Sequence, residues 1–118
     1  MRTYIKIGLA ILATCSTAQA FTVNQNEFFA YAYHPQYRAH ILLSHDKCPL
    51  TGKGWSGYAQ FNLDVSKASW DGCWSWYDKE QTTISVCRIS IKENVAHDCI
   101  YLGKDRFQDV TSLPKSAF

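Results

Sequence analysis

His34, His40, His45 and His97 are the side chains of this chain whose type best suits acid–base or metal chemistry. A nucleophilic cysteine would need one of them as its base and would have to stay reduced. His40 and His45 are five residues apart. On one strand they point to opposite faces and cannot share a metal ion. Asp64, Asp71, Asp78 and Glu80 fall in or beside expected turns, where Asp is favoured because its short side chain bonds nearby backbone. A glycosidase needs two carboxyl groups facing each other across a cleft, and a small meander rarely encloses one. Ser44, Ser56 and Ser66 lack the G-x-S-x-G elbow of a nucleophilic serine, and no Gly-rich phosphate loop is present. The expectation is a chain with no catalytic residue, no metal ligand and no cofactor.

The cysteines point to cross-linking. Cys48, Cys73, Cys87 and Cys99 remain once Cys15 is assigned to a leader segment. An even number in an exported chain of this size reads as a disulfide framework. Zinc would want a C-x-x-C pair, and none exists. Ile84–Ile91 is β-branched and Ala96–Leu102 alternates apolar with polar, with Lys92–Val95 as a turn between them. Paired antiparallel so that residue numbers sum to 186, Cys87 faces Cys99, Arg88 faces Asp98, Val86 faces Ile100 and Ile84 faces Leu102. One register satisfies a disulfide, an ion pair and an apolar face together. That leaves Cys48 to pair with Cys73.

Aromatic residues exceed what a core of this size needs. Trp55, Tyr58, Trp70, Trp74 and Trp76 crowd one stretch of the chain, and alternation sets Trp70, Gly72, Trp74 and Trp76 on one face of a strand. Such a stripe can pack on a core, but a small two-sided sheet cannot easily bury four indoles. Trp55, Tyr58, Trp70, Trp74 and Trp76 are therefore the expected partner-binding residues. Trp55, in a Gly-rich loop, is expected to be the most exposed indole.

The elements that must position these groups are short strands. Phe28–His34 and Ala39–His45 flank a turn at Pro35–Arg38; Gly57–Leu63 and Ser69–Tyr77 flank one at Asp64–Lys67; Asp78–Gln81 leads into the final hairpin. Gly72 is expected to mark a bulge. A short strand or helical turn is expected around Arg106–Val110 and then a frayed tail, the flexible C-terminal stretch being set from about residue 108. The fold class is mainly β: a small antiparallel meander, either a sandwich or a partly open barrel, with two disulfides.

Residues 1–20 read as a secretory signal: Arg2 and Lys6, then an apolar Ile7–Ala13, then Ala18-Gln19-Ala20. The apolar run is too short to span a bilayer. A second route competes. Leu12-Ala13-Thr14-Cys15 resembles a bacterial lipobox, with Thr14 where that motif wants Gly, Ala or Ser; processing there would leave a lipid anchor on Cys15. Residues 21–118 form the single domain. Removing Arg2 and Lys6 from the 12 basic residues leaves 10 against 10 acidic ones, which argues against a nucleic-acid partner. With 47% hydrophobic and 19% charged residues, disorder is not expected.

His40–Cys48, then Gly72-Cys73-Trp74, then an alternating strand and a closing Tyr101 and Phe107, resembles a group of small exported proteins of proteobacteria and their phages or prophages. The resemblance covers about Ile41 to Phe107. It implies that Cys48 and Cys73 are partners, in agreement with the pairing above, and it carries no known activity; Cys87 and Cys99 depart from its pattern. The expected function is an exported, disulfide-stabilised binding module, periplasmic or secreted, with an envelope protein or glycan as partner. It would block a receptor or inhibit an envelope enzyme. Two alternatives stand beside it: a small secreted hydrolase using carboxylates such as Asp71 and Glu80, and a structural component of the envelope or virion.

Overall fold

The computed structural model describes residues 26–52 and 54–112. The signal segment, Cys15 and the chain after residue 112 lie outside the described residues. Seven strands form one antiparallel sheet: β1 (Ala30–His34), β2 (Ala39–Leu43), β3 (Gly57–Leu63), β4 (Ser69–Trp76), β5 (Thr83–Ser90), β6 (Val95–Gly103) and β7 (Gln108–Asp109). Strands β1 to β6 pair in chain order, and β7 returns to pair with the free side of β1.

That return forces the sheet to curl. Six strands laid flat would hold β1 and β6 about 24 Å apart. Gln108 follows Gly103, the end of β6, by five residues, a reach of at most about 17 Å. Ala30 and Ala32 of β1 also share one core with Ile100 and Leu102 of β6. Of the two expected architectures, the open barrel is the one adopted: a single curled sheet with edges at β6 and β7, not two stacked sheets.

The concave face is filled by size complementarity. Small residues on β1 and β3 (Ala30, Ala32, Ala59) stand with bulky ones on β2 to β5 (Ile41, Leu43, Phe61, Trp74, Ile84, Val86), as a tapering interior requires. Gly57 is dictated by close approach, since a Cβ there would lie 2.2 Å from the Ser44 carbonyl oxygen and 2.7 Å from Trp74 Nε1. Gly72 does not mark a bulge. Its pairs with β3 and β5 are regular, and a Cβ would strike the Cys87 carbonyl oxygen and the Phe61 ring.

Four hairpin turns use one device. Residues 35–38, 64–67, 78–81 and 91–94 each end on a left-handed residue: Arg38, Lys67, Gln81 and Asn94. An i to i+3 backbone bond closes three of them (Arg38 N–H to Pro35, Gln81 to Asp78, Asn94 to Ile91). A left-handed residue after such a turn restores the strand twist.

The C-terminal stretch is more ordered than its composition implies. Instead of a tail from 108, Gln108 and Asp109 pair with Tyr31 and Ala30, and Val110 is 1% exposed among Phe28, Tyr31 and Leu42. One apolar side chain seals the convex side of β1. Among the described residues no helix is long and apolar enough to cross a membrane.

Candidate functional site

Both expected disulfides are present, Cys48–Cys73 and Cys87–Cys99. The register of β5 against β6 keeps the sum of 186 from Thr83 to Cys87, then slips by one. Arg88 therefore stands opposite His97, not Asp98. Asp98 is the extra residue of a bulge, at φ 51°, and its carboxylate still lies 3.6 Å from the Arg88 guanidinium.

The five aromatic residues expected to bind a partner do not form one surface. Trp74 is 4% exposed and is a core residue: its indole N–H donates to the Ser44 carbonyl at 2.8 Å and its ring meets Phe29 and Trp76. Trp70 and Trp76 are half-buried on the same concave face. Trp55 is half-buried, like Trp70 and Trp76, and lies on the convex side against Cys48, Leu50 and Cys73, where it lines a cleft of about 150 Å³. Tyr58 is half-buried on that side and donates to Asp71 at 2.7 Å. Burial, then this bond, pushes its phenol up to about 12.

The curl opens a mouth at the end of the sheet where β2 and β4 begin and where β5 ends. A cavity of about 260 Å³ there is lined by Tyr37, Ala39, Phe61, Trp70, Arg88 and Asp98. Arg88 follows Ile84 and Val86 on the inward face, so a charged side chain is delivered where the strand pattern calls for an apolar one. It is held by stacking: the guanidinium carbon sits 3.5 Å from the Trp70 ring centroid, a cation–π contact. At 3.6 Å its ion pair with Asp98 is too long for a hydrogen bond. Arg88 and Asp98 both line the cavity. Tyr37, 53% exposed, forms another part of the wall. Its ring stacks on His34, with centroids 4.7 Å apart, and its backbone N–H donates to His34 Nδ1 at 3.2 Å. Burial, then the nearby Arg106 charge, lowers the His34 pKa and favours the neutral ring that can accept that bond.

No family model, curated protein or solved structure matches this chain. Its site is read from chemistry alone.

A second polar constellation occupies the convex face. Tyr31 Oη lies 2.8 Å from His40 Nδ1, His40 Nε2 lies 2.5 Å from Asp64 Oδ1, and Tyr33 donates to Asp64 Oδ2 at 2.6 Å. The order of groups resembles a nucleophile, a base and an orienting acid. The Tyr31 hydroxyl does not suit that first role: the residue is 8% exposed, and burial followed by the Asp64 charge pushes its phenol up to about 12. The arrangement ties the turn after β3 to β1 and β2. Asp64 was legible as a turn residue; its two cross-strand partners were not.

This cluster sets an acid limit. Burial raises the Asp64 pKa, but the bonds from Tyr33 and His40 outweigh it and hold the carboxyl below its ordinary 3.8. The folded state thus takes up this proton less readily than the unfolded one. The stabilisation is complete above pH about 4 and is lost as pH falls through the lowered folded value. Because the Asp64 side chain is 36% exposed, solvent screening limits the effect to roughly 0.5 kcal/mol. Asp64→Asn should flatten the decline of the urea midpoint below pH about 4; a variant with the wild-type acid slope would show that Asp64 does not carry it.

Proposed function

We propose that this chain is an exported binding module, phage- or prophage-encoded, that acts on the bacterial envelope by blocking a receptor or inhibiting an envelope enzyme. The mouth of the curled sheet carries the reading. There an exposed ring, Tyr37, shares one cavity with an arginine stacked on Trp70 and with a carboxylate. Pre-set side chains on a stapled sheet bind with little loss of side-chain freedom. Two disulfides suit an oxidising compartment, and the Cys48 to Gly72-Cys73-Trp74 pattern supports the origin.

Immobilised protein offered separately to peptidoglycan, lipopolysaccharide and periplasmic proteins should retain one of the three saturably. Tyr37→Ala and Arg88→Gln should reduce that retention at least about tenfold, the usual weight of a central anchor residue. Retention of none, or equal retention by the variants, would overturn the proposal.

A further inference from the structure

We infer that the mouth takes a single neutral pyranose ring, the terminal sugar of an envelope glycan. This rests on the reading of the chain as a binding module and names what the cavity holds.

Size sets the first limit. About 260 Å³ lies below the roughly 300 Å³ at which pockets for drug-sized ligands begin. It admits one six-membered ring, not an extended peptide.

Charge sets the second. Arg88 and Asp98 both line the cavity and lie 3.6 Å apart. A bound carboxylate would meet Asp98, and a bound ammonium would meet Arg88, so neither ion gains a clear field. A neutral ligand that needs both a donor and an acceptor gains from each. Two hydroxyls on neighbouring ring carbons fit: each donates to the carboxylate and accepts from the guanidinium. Asp98 is fit for this because its side chain is 62% exposed and its other partner, His97 Nδ1 at 2.9 Å, engages only Oδ2.

The walls set the third. A pyranose has one face of C–H groups that packs on an aromatic ring. Arg88 covers one face of Trp70 and Phe61 packs against the same indole at a tilt, so Trp70 positions the guanidinium and is not the platform. Of the three rings that line the cavity, Phe61 is buried and Tyr37, stacked on His34, is the exposed one that can serve as the platform. The ligand thus lies between Tyr37 and the Arg88–Asp98 pair, above Ala39 and Phe61.

The test titrates the full exported chain with glucose, galactose, mannose and N-acetylglucosamine, and in a separate arm with sodium acetate. The signals followed are the Trp70 Nε1–H and Arg88 Nε–H resonances. At least one sugar should shift both resonances saturably in the millimolar range, and acetate should not. Tyr37→Ala, Arg88→Lys and Asp98→Asn should each weaken binding at least about tenfold. Asp98→Asn keeps a residue that tolerates the left-handed backbone, so its loss of binding would not reflect misfolding. Tyr101→Ala, at an exposed ring outside the mouth, should bind as wild type. The inference is overturned by any of three results: no saturable shift with any of the sugars, a response to acetate alone, or wild-type affinity in Asp98→Asn. Envelope retention that persists without sugar competition would leave the binding-module reading standing and this inference refuted. Sugar binding without retention of any envelope fraction would leave the mouth a pyranose site but overturn both the envelope as the source of the sugar and the envelope-acting reading.

Discussion

Trp74→Ala should lower the free energy of unfolding by about 4 kcal/mol, the usual cost of removing a buried large aromatic. Two effects combine. The indole fills the concave face between Phe29 and Trp76, and its N–H satisfies the Ser44 carbonyl where the chain leaves β2. Gly57 gives way to this contact, since its missing Cβ leaves the room that the Nε1 atom and the carbonyl share. Trp74→Phe separates the two: most of the ring is kept and the bond is lost, for about 1–2 kcal/mol. Urea denaturation followed by far-ultraviolet circular dichroism measures both. Trp55→Ala removes a half-buried ring at the sheet surface and should cost well under half as much as Trp74→Ala. A loss below about 1 kcal/mol for Trp74→Ala would show that the indole does not hold the core. In a domain whose total stability is of order 5–15 kcal/mol, the predicted loss is large enough to weaken any binding measured on that variant. Trp74 is therefore a poor choice for testing recognition, and Tyr37 a good one.

The contrast between these residues shows what a sequence of this kind reveals. The strands were legible because alternation reports which side chains share a face, and β3 begins and ends at the residues that alternation chose, Gly57 and Leu63. The Cys87–Cys99 bridge was legible because several cross-strand pairs agreed on one register. Alternation does not say which face is inside. It set Trp70, Trp74 and Trp76 together, but only the curl of the sheet makes their face the concave one. The curl depends on β7, two residues that pair with β1 from the far end of the chain, and two polar residues carry no strand pattern. The bulge at Asp98 was hidden for a similar reason, because an αL residue that is not glycine leaves no mark in composition. Arg88 did leave one. A charged residue two positions after Val86 breaks the inward pattern of β5, and that break marks the mouth. Tyr37 left none, since its place on the wall depends on the left-handed Arg38 that ends its turn and on the stack against His34.

Removing the two disulfides one at a time should give opposite profiles. The loop closed by Cys48 and Cys73 spans 25 residues and that closed by Cys87 and Cys99 spans 12. Chain entropy alone then assigns about 3.5 and about 2.8 kcal/mol. Packing widens the gap. Cys48 and Cys73 are buried with Leu50 and hold the loop before β3 on the sheet, where Thr51 also bonds Asn94. Cys99 is exposed, and the ladder of β5 and β6 survives without the bridge. Cys48→Ala/Cys73→Ala should therefore be the less stable pair by at least about 1 kcal/mol in urea, with new protease cuts between residues 46 and 56. Binding should rank the other way. Arg88 follows Cys87 and Asp98 precedes Cys99, so the second bridge fixes which residue of β6 is forced out of register and holds the donor fork beside its carboxylate. Cys87→Ala/Cys99→Ala should stay folded yet lose most sugar-induced shift at Arg88, while folded Cys48→Ala/Cys73→Ala keeps it. If both pairs lost binding in proportion to stability, the register slip at Asp98 would have no part in recognition.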